Sequence, residues 1–111
     1  MDNAFFPKII SKLPEADIPV EGLSSYLFQG NDHQILFMEF EHEVEVPEHF
    51  HGAQWGAVLS GEIEITIDGK ILNFTKGDTY FIPANTKHSA KITAGYKDVT
   101  LFDQKDRYKE K

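Results

Sequence analysis

His49-Phe50-His51-Gly52-Ala53-Gln54, with six residues between Gln54 and Gly61, is the stretch from which the fold of this chain follows. Side chains on an extended strand alternate with period two, so His49 and His51 project to one side. A second stretch, Gly77-Asp78-Thr79-Tyr80-Phe81-Ile82-Pro83-Ala84-Asn85-Thr86-Lys87-His88, ends in a lone imidazole after a turn rich in Pro and Asn. An HxH pair by itself is equally the pattern of two solvated surface histidines. With the second stretch beside it, the expectation is that two strands meet across a barrel and that His49, His51, Gln54 and His88 close on one divalent transition metal. Imidazole and amide donors without thiolates admit Zn, Ni, Fe, Mn, Co or Cu.

Outward from these stretches the chain reads as short strands separated by turn residues. Strands are expected over residues 26–29, 34–45, 55–59, 62–67, 70–74, 79–82, 89–93 and 98–103. Within the long one, Phe40 and Val44 alternate with Glu39, Glu41, Glu43 and Glu45, apolar side in and acidic side in solvent. Pro47 interrupts the alternation just before the histidines and resets which way the chain faces. Asp68-Gly69 is a hairpin dipeptide, suited to the positive φ angles of a two-residue turn. Residues 1–25 carry three of the five prolines and read as an irregular arm with one short strand over 8–11, whose apolar side chains need a cover, either the barrel wall or a second subunit. Residues 104–111 form a tail with at most one helical turn. This is one domain of 111 residues, all-β, a barrel or jelly roll spanning 26–103.

Composition narrows the function. The formal charge is −7 and no basic stripe exists outside the mixed tail, so nucleic acid is rejected as a partner. There is no cysteine, hence neither disulfide nor thiolate chemistry. No apolar run approaches the ~20 residues of a membrane span, and Met1-Asp2-Asn3 opens no signal peptide, so a cytoplasmic address is expected. No Ser-His-Asp order or phosphate-cradling loop is present. His33, in a turn, and His42, between two glutamates, read as solvated or structural, and Glu48 points outward. Trp55 faces away from Gln54 and packs in a core or an interface.

The two stretches together resemble the cupin superfamily. His49, His51 and Gly61 match its first motif, with Gln54 where the family usually has glutamate; Gly77, Pro83 and His88 match the second, with Asn85 in place of a glycine. The first motif's leading glycine is missing, the gap from His51 to Gln54 is short, and Ile92 stands where the second motif has asparagine. The resemblance implies a cupin-type double-stranded β-helix, a metal site at the four named residues, and a short bacterial single-domain protein that is a homodimer pairing through N-terminal strands. It says little about activity, because cupins include dioxygenases, isomerases, epimerases, decarboxylases, lyases, storage proteins and sensors. A ligand set of three histidines and one glutamine also resembles a small cupin of pectin breakdown that helps linearise unsaturated uronates.

Gln54 in place of glutamate leaves every protein ligand neutral. The cation then keeps its full charge, which strengthens Lewis acidity and disfavours oxidation to the trivalent state. The expected activity is therefore isomerisation, tautomerisation or lysis of a small anionic sugar-like or carboxylic-acid-like compound held inside the barrel. A non-catalytic ligand-binding or sensing protein and an iron-dependent dioxygenase are the alternatives. Strand parity assigns Tyr80, Ile82, Phe102 and either Phe37 or Met38 to the cavity wall, with Tyr80 as the candidate for proton transfer. Asp103 and Arg107 reach the mouth or pair with each other at the surface.

Overall fold

Alternation of inward apolar and outward polar residues along nine strands builds two antiparallel sheets that face one another. The computed structural model describes residues 4–111. The strands are β1 (Leu23–Gln29), β2 (Gln34–Phe40), β3 (Val44–His49), β4 (Gln54–Ser60), β5 (Glu62–Ile67), β6 (Lys70–Thr75), β7 (Thr79–Ile82), β8 (His88–Ile92) and β9 (Lys97–Phe102). One sheet has the order β1-β2-β9-β4-β7 and the other β3-β8-β5-β6. This is the jelly-roll double sheet expected from the sequence. The core between the sheets includes Leu27, Leu36, Phe40, Val58, Ile65 and Ile92, all buried. The hairpin at Asp68-Gly69 has φ of 50° and 76°, as the dipeptide required.

The expected strand over 34–45 is in fact two strands in different sheets. The chain bends at Glu41 and His42 and crosses from β2 to β3, the corner by which a jelly roll changes sheet. Glu41 N donates to Gly22 O at 2.9 Å and Phe40 N to Tyr96 O at 2.9 Å, which ties the corner to both neighbouring loops. Parity continues across the break, which is why a period-two pattern does not reveal it. His42 thus sits exposed at the corner rather than within a strand.

Pro47 lies inside β3. The pairing of β3 with β8 runs from Val46 opposite Ala90 to His49 opposite His88, so two residues of β3 face one of β8. A bulge of this kind tolerates proline and turns the following side chains to the other face. His49 consequently points inward together with Val44 and Val46, as the resetting role of Pro47 predicts.

Residues 8–11 form a helical turn, α1 (Lys8–Ser11), not a strand. Pro7 begins it with φ of −66°, and its carbonyl accepts from Ile10 N and Ser11 N at 2.9 and 3.0 Å. A strand needs a free sheet edge, whereas this turn satisfies its own groups. Phe6 is buried against Tyr26 and Phe37, ring centroids 6.2 and 5.7 Å apart, whereas Phe5 and Ile9 stay exposed, so the barrel covers the arm in part. The tail after β9 is not helical either. Lys111 N donates to Glu15 O and Asp17 N to Lys109 O, stitching it to the arm. No described helix is long and apolar enough to cross a membrane.

Candidate metal centre

The bulge in β3, the start of β8 and the loop before β4 meet at one open end of the sandwich. His49 ends β3, His88 opens β8 directly opposite it, His51 follows in the loop, and Gln54 is the first residue of β4 in the other sheet. One ring nitrogen from each of His49, His51 and His88 lies within 4.8 Å of the others. His88 is buried, and the other two rings are half-buried.

The hydrogen bonds decide which nitrogen faces inward. His49 Nδ1 meets Pro47 O at 2.8 Å, His51 Nδ1 meets Gly52 O at 2.7 Å, and His88 Nδ1 meets Thr86 O at 2.8 Å. A carbonyl only accepts, so each Nδ1 carries a proton and Nε2 is the nitrogen left to present a lone pair to a cation. Among the described residues nothing hydrogen-bonds to these three Nε2 atoms. Burial lowers His51 to about 4 despite its Gly52 bond, helped by the charges of Arg107, His88 and His49. Burial likewise lowers His88, with His49 and Arg107 adding to it. Three imidazoles gathered at one point, each oriented by a backbone carbonyl on Nδ1, fit a divalent transition metal.

The second stretch braces the first. Asn85 N donates to His51 O at 2.9 Å. Asn85 itself has φ of 59°, the left-handed conformation for which the motif's glycine is suited and which asparagine tolerates. Its departure from the family pattern therefore preserves the turn. From the tail, Gln104 Oε1 accepts from Gly52 N at 2.9 Å, and Asp103 N donates to Ala53 O at 2.8 Å.

Gln54 lines the same cavity and donates through Nε2 to Tyr80 Oη at 3.5 Å. Tyr80 in turn donates to Asp98 Oδ2 at 3.5 Å, and Tyr96 donates to the same oxygen at 2.8 Å. Burial raises Tyr80 well above the usual phenol value, as does the nearby Asp98, so it remains a donor rather than a base. Asp98 is pushed up to about 7 by burial, against the lowering effect of the two tyrosine hydroxyls. Gly56 sits opposite Tyr80, and a Cβ there would overlap the Tyr80 ring; glycine makes room for the phenol.

The cavity enclosed by these groups is about 270 Å³, at the small end of ligand pockets. Tyr80, Ile82, Phe102 and Met38 line it, whereas Phe37 turns outward onto Phe6. Asp103 and Arg107 do not pair with each other. Asp103 binds His33 at 3.1 Å on the exposed surface, so His33 is partnered, while Arg107 lines the cavity. Asp98, Tyr96 and Tyr108 adjoin the candidate site, and the sequence pattern does not single them out. The signal for Asp98 is present, since it shares the inward parity of Thr100 and Phe102 in β9. Trp55 faces outward as expected but is exposed, on a sheet face and not in the core. Glu48 also points to solvent.

No curated protein matches the chain in sequence. Among solved structures it is similar to an RmlC-like cupin from Shewanella frigidimarina, at 23% identity and a TM-score of 0.73 over 96% of this chain and 94% of that one. It is also similar to KdgF from a Halomonas species, at 21% identity and a TM-score of 0.70 over 84% and 89%. Oxalate decarboxylase of Bacillus subtilis aligns at 18% identity and 0.70 over 83% of this chain but 28% of its own, and that enzyme has Mn(II) centres. At these identities the likeness concerns the fold. A cupin domain pattern matches residues 36–103, which takes in both histidine stretches and every strand from β2 to β9 but for the first two residues of β2. With well over half of its length inside that pattern, the chain belongs to the cupin family.

Proposed function

We propose that this chain is a single-domain metallo-cupin in which the Nε2 atoms of His49, His51 and His88 and the amide oxygen of Gln54 hold a divalent cation. The reading extends to an isomerase, tautomerase or lyase acting on a small anionic compound in the barrel. The observation that carries it is the set of three imidazoles gathered at one point, each ring fixed by an Nδ1 bond to a carbonyl. A cation held by neutral donors supplies Lewis acidity, polarising a carbonyl or carboxylate brought to it. Gln54 is oriented by giving its Nε2 hydrogen to Tyr80, which leaves its oxygen for the cation. Tyr80, kept as a phenol by burial, offers a proton to a ligand oxygen, and its two long bonds leave it free to turn toward one.

The test is elemental analysis followed by proton NMR in D2O with a panel of 2-oxo and 3-hydroxy acids. Exchange of hydrogens next to the carbonyl, dependent on the metal, is the expected result. Binding without exchange would instead make the protein a ligand-binding module. Oxygen consumption with iron would make it a dioxygenase.

Gln54→Glu is expected to tighten metal binding by about tenfold or more, because a full negative charge beside the cation outweighs an amide dipole. The same change slows any Lewis-acid step and reverses the bond to Tyr80, since a carboxylate only accepts. Chelator competition and turnover on the two proteins, compared side by side, check it. A variant with unchanged affinity would remove Gln54 from the ligand set.

The homodimer implied by the family fits one surface. Phe28, Ile35, Leu101, Trp55 and Phe81 stand in register across all five strands of the larger sheet. Four of them, all but Ile35, are more than a third exposed. The row is about 19 Å long at the usual strand spacing. It contains no charge, so two copies of a chain of net charge −7 can meet there without like charges opposed. Trp55→Lys with Phe81→Lys is expected to shift the mass in solution from twice 12.6 kDa to the monomer, read by light scattering.

A further inference from the structure

From the cavity's charged groups and apolar walls we infer that its ligand is a monocarboxylate with a hydrocarbon body, anchored by Arg107, and not a polyhydroxylated sugar acid. The inference rests on the same site as the proposed function, and it names that site's ligand.

The first observation is Arg107. It reaches the cavity from the tail and lines it together with His51 and His88. The ion pairs among the described residues are His33–Asp103 and Lys111–Glu15, so Arg107 has no carboxylate partner there. Its Nε is buried without a hydrogen-bond partner, while the guanidinium lies 4.4 Å over the Tyr108 ring. A buried donor left open is costly, and a fork-shaped cation held by stacking is the geometry that receives a carboxylate through two bonds.

The walls are the second observation. Most of the lining is apolar, Ile18, Met38, Val46, Ile63, Ile65 and Ile92 among it. A sugar acid brings several hydroxyls, each needing a partner once out of water, and the apolar walls leave only Gln54, Tyr80 and Tyr108 as neutral partners besides the histidines. A hydrocarbon chain or ring gains there what the hydroxyls would lose.

The acid is the third. Asp98 lies four residues along β9 from Phe102, whose ring packs on His51 at 5.3 Å. Tyr80 Oη lies 3.5 Å from Asp98 Oδ2 and 3.5 Å from Gln54 Nε2, so a single phenol joins the acid to the Gln54 amide. Asp98 is almost wholly buried, lines the cavity, and its Oδ1 has no partner among the described residues. An acid in the wall disfavours a second carboxylate on the ligand and accepts a single hydroxyl. The cavity thus holds one cation, Arg107, and one acid, Asp98, among walls that are mostly hydrocarbon.

Calorimetric titration at pH 8 of hexanoate, adipate, hexanol and galacturonate tests this, on protein loaded with zinc and on protein stripped with chelator. Hexanoate is expected to bind both, with adipate and galacturonate about tenfold weaker or worse. Arg107→Gln is expected to weaken hexanoate about tenfold or more while leaving hexanol unchanged, and Arg107→Lys to recover part of the loss. Galacturonate or adipate binding as well as hexanoate would overturn the inference. So would an Arg107→Gln protein that keeps its hexanoate affinity or loses hexanol equally. If zinc fails to bind but stripped protein still needs Arg107 for hexanoate, the metal reading falls and this one stands. If zinc binds and Arg107 proves irrelevant, the reverse holds.

Discussion

His88→Ala is expected to lower the affinity for zinc or manganese by about 100-fold or more while the sandwich still folds. Removing only an outer partner of a metal ligand commonly costs about 10–100-fold, and His88 supplies a ligand atom itself in the proposed site. It is also the sole member that comes from the second stretch. Without it, the stretch from His49 to Gln54 must hold the ion alone. The fold should tolerate the change, because β8 pairs with β3 and β5 through its backbone. The bond from Nδ1 to Thr86 O is lost, a cost of about 1 kcal/mol. Metal present at about 100 times its Kd stabilises the native chain by about 2.7 kcal/mol, and that gain in Tm should vanish in the variant. Chelator competition and paired melts with and without metal measure both. A variant that keeps the metal would remove His88 from the site.

Asp98→Asn should produce the second large effect, visible in stability against pH for metal-free protein. Burial moves the Asp98 carboxyl from 3.8 to about 7 in the folded chain, opposed by hydrogen bonds from Tyr96 and Tyr80. Tyr108 also faces it, and its cross-strand partners Met38 and Val58 are apolar, so no cation offsets the charge. The folded state holds this proton more tightly than the unfolded state does. Its contribution is therefore complete below pH 3.8 and disappears as pH climbs through about 7. By pH 8 the native chain has lost on the order of 4 kcal/mol that the asparagine variant, with no proton to lose, retains. Asparagine still accepts from Tyr96, so the two proteins should be close at pH 4 and diverge above it. His51 and His88, both lowered, lose stability as pH falls, but they do so in both proteins and cancel in the difference. Denaturant midpoints from pH 4 to 8.5 give the comparison. Parallel curves would show that Asp98 is ionised at no cost in the folded chain.

Local pattern is informative where the physics is local. The Asp68-Gly69 turn, the alternation along β5 and β9, and the inward turn after Pro47 each depend on neighbours within a few residues. The corner at Glu41 and His42 leaves no mark in the pattern because parity runs through it unchanged. The helical turn at Lys8–Ser11 reads as a strand because an apolar pair of isoleucines suits either state when no sheet edge is in view. The candidate ligands are legible because His49, His51 and Gln54 lie close in sequence and His88 follows a recognisable turn. Asp98 looks like one more charge in a strand, although its parity places it inside.

What the sequence determined alone was the two-sheet β architecture and the four candidate donors, since period-two burial and short-range turn chemistry need no distant partner. Only the tertiary structure decided which nitrogen of each histidine faces the others, that Arg107 turns into the cavity while Asp103 goes to His33, and that Asp98 sits unbalanced beneath Tyr80. Those outcomes depend on hydrogen-bond partners and neighbouring charges brought from residues far apart in the chain, and no spacing rule carries that information.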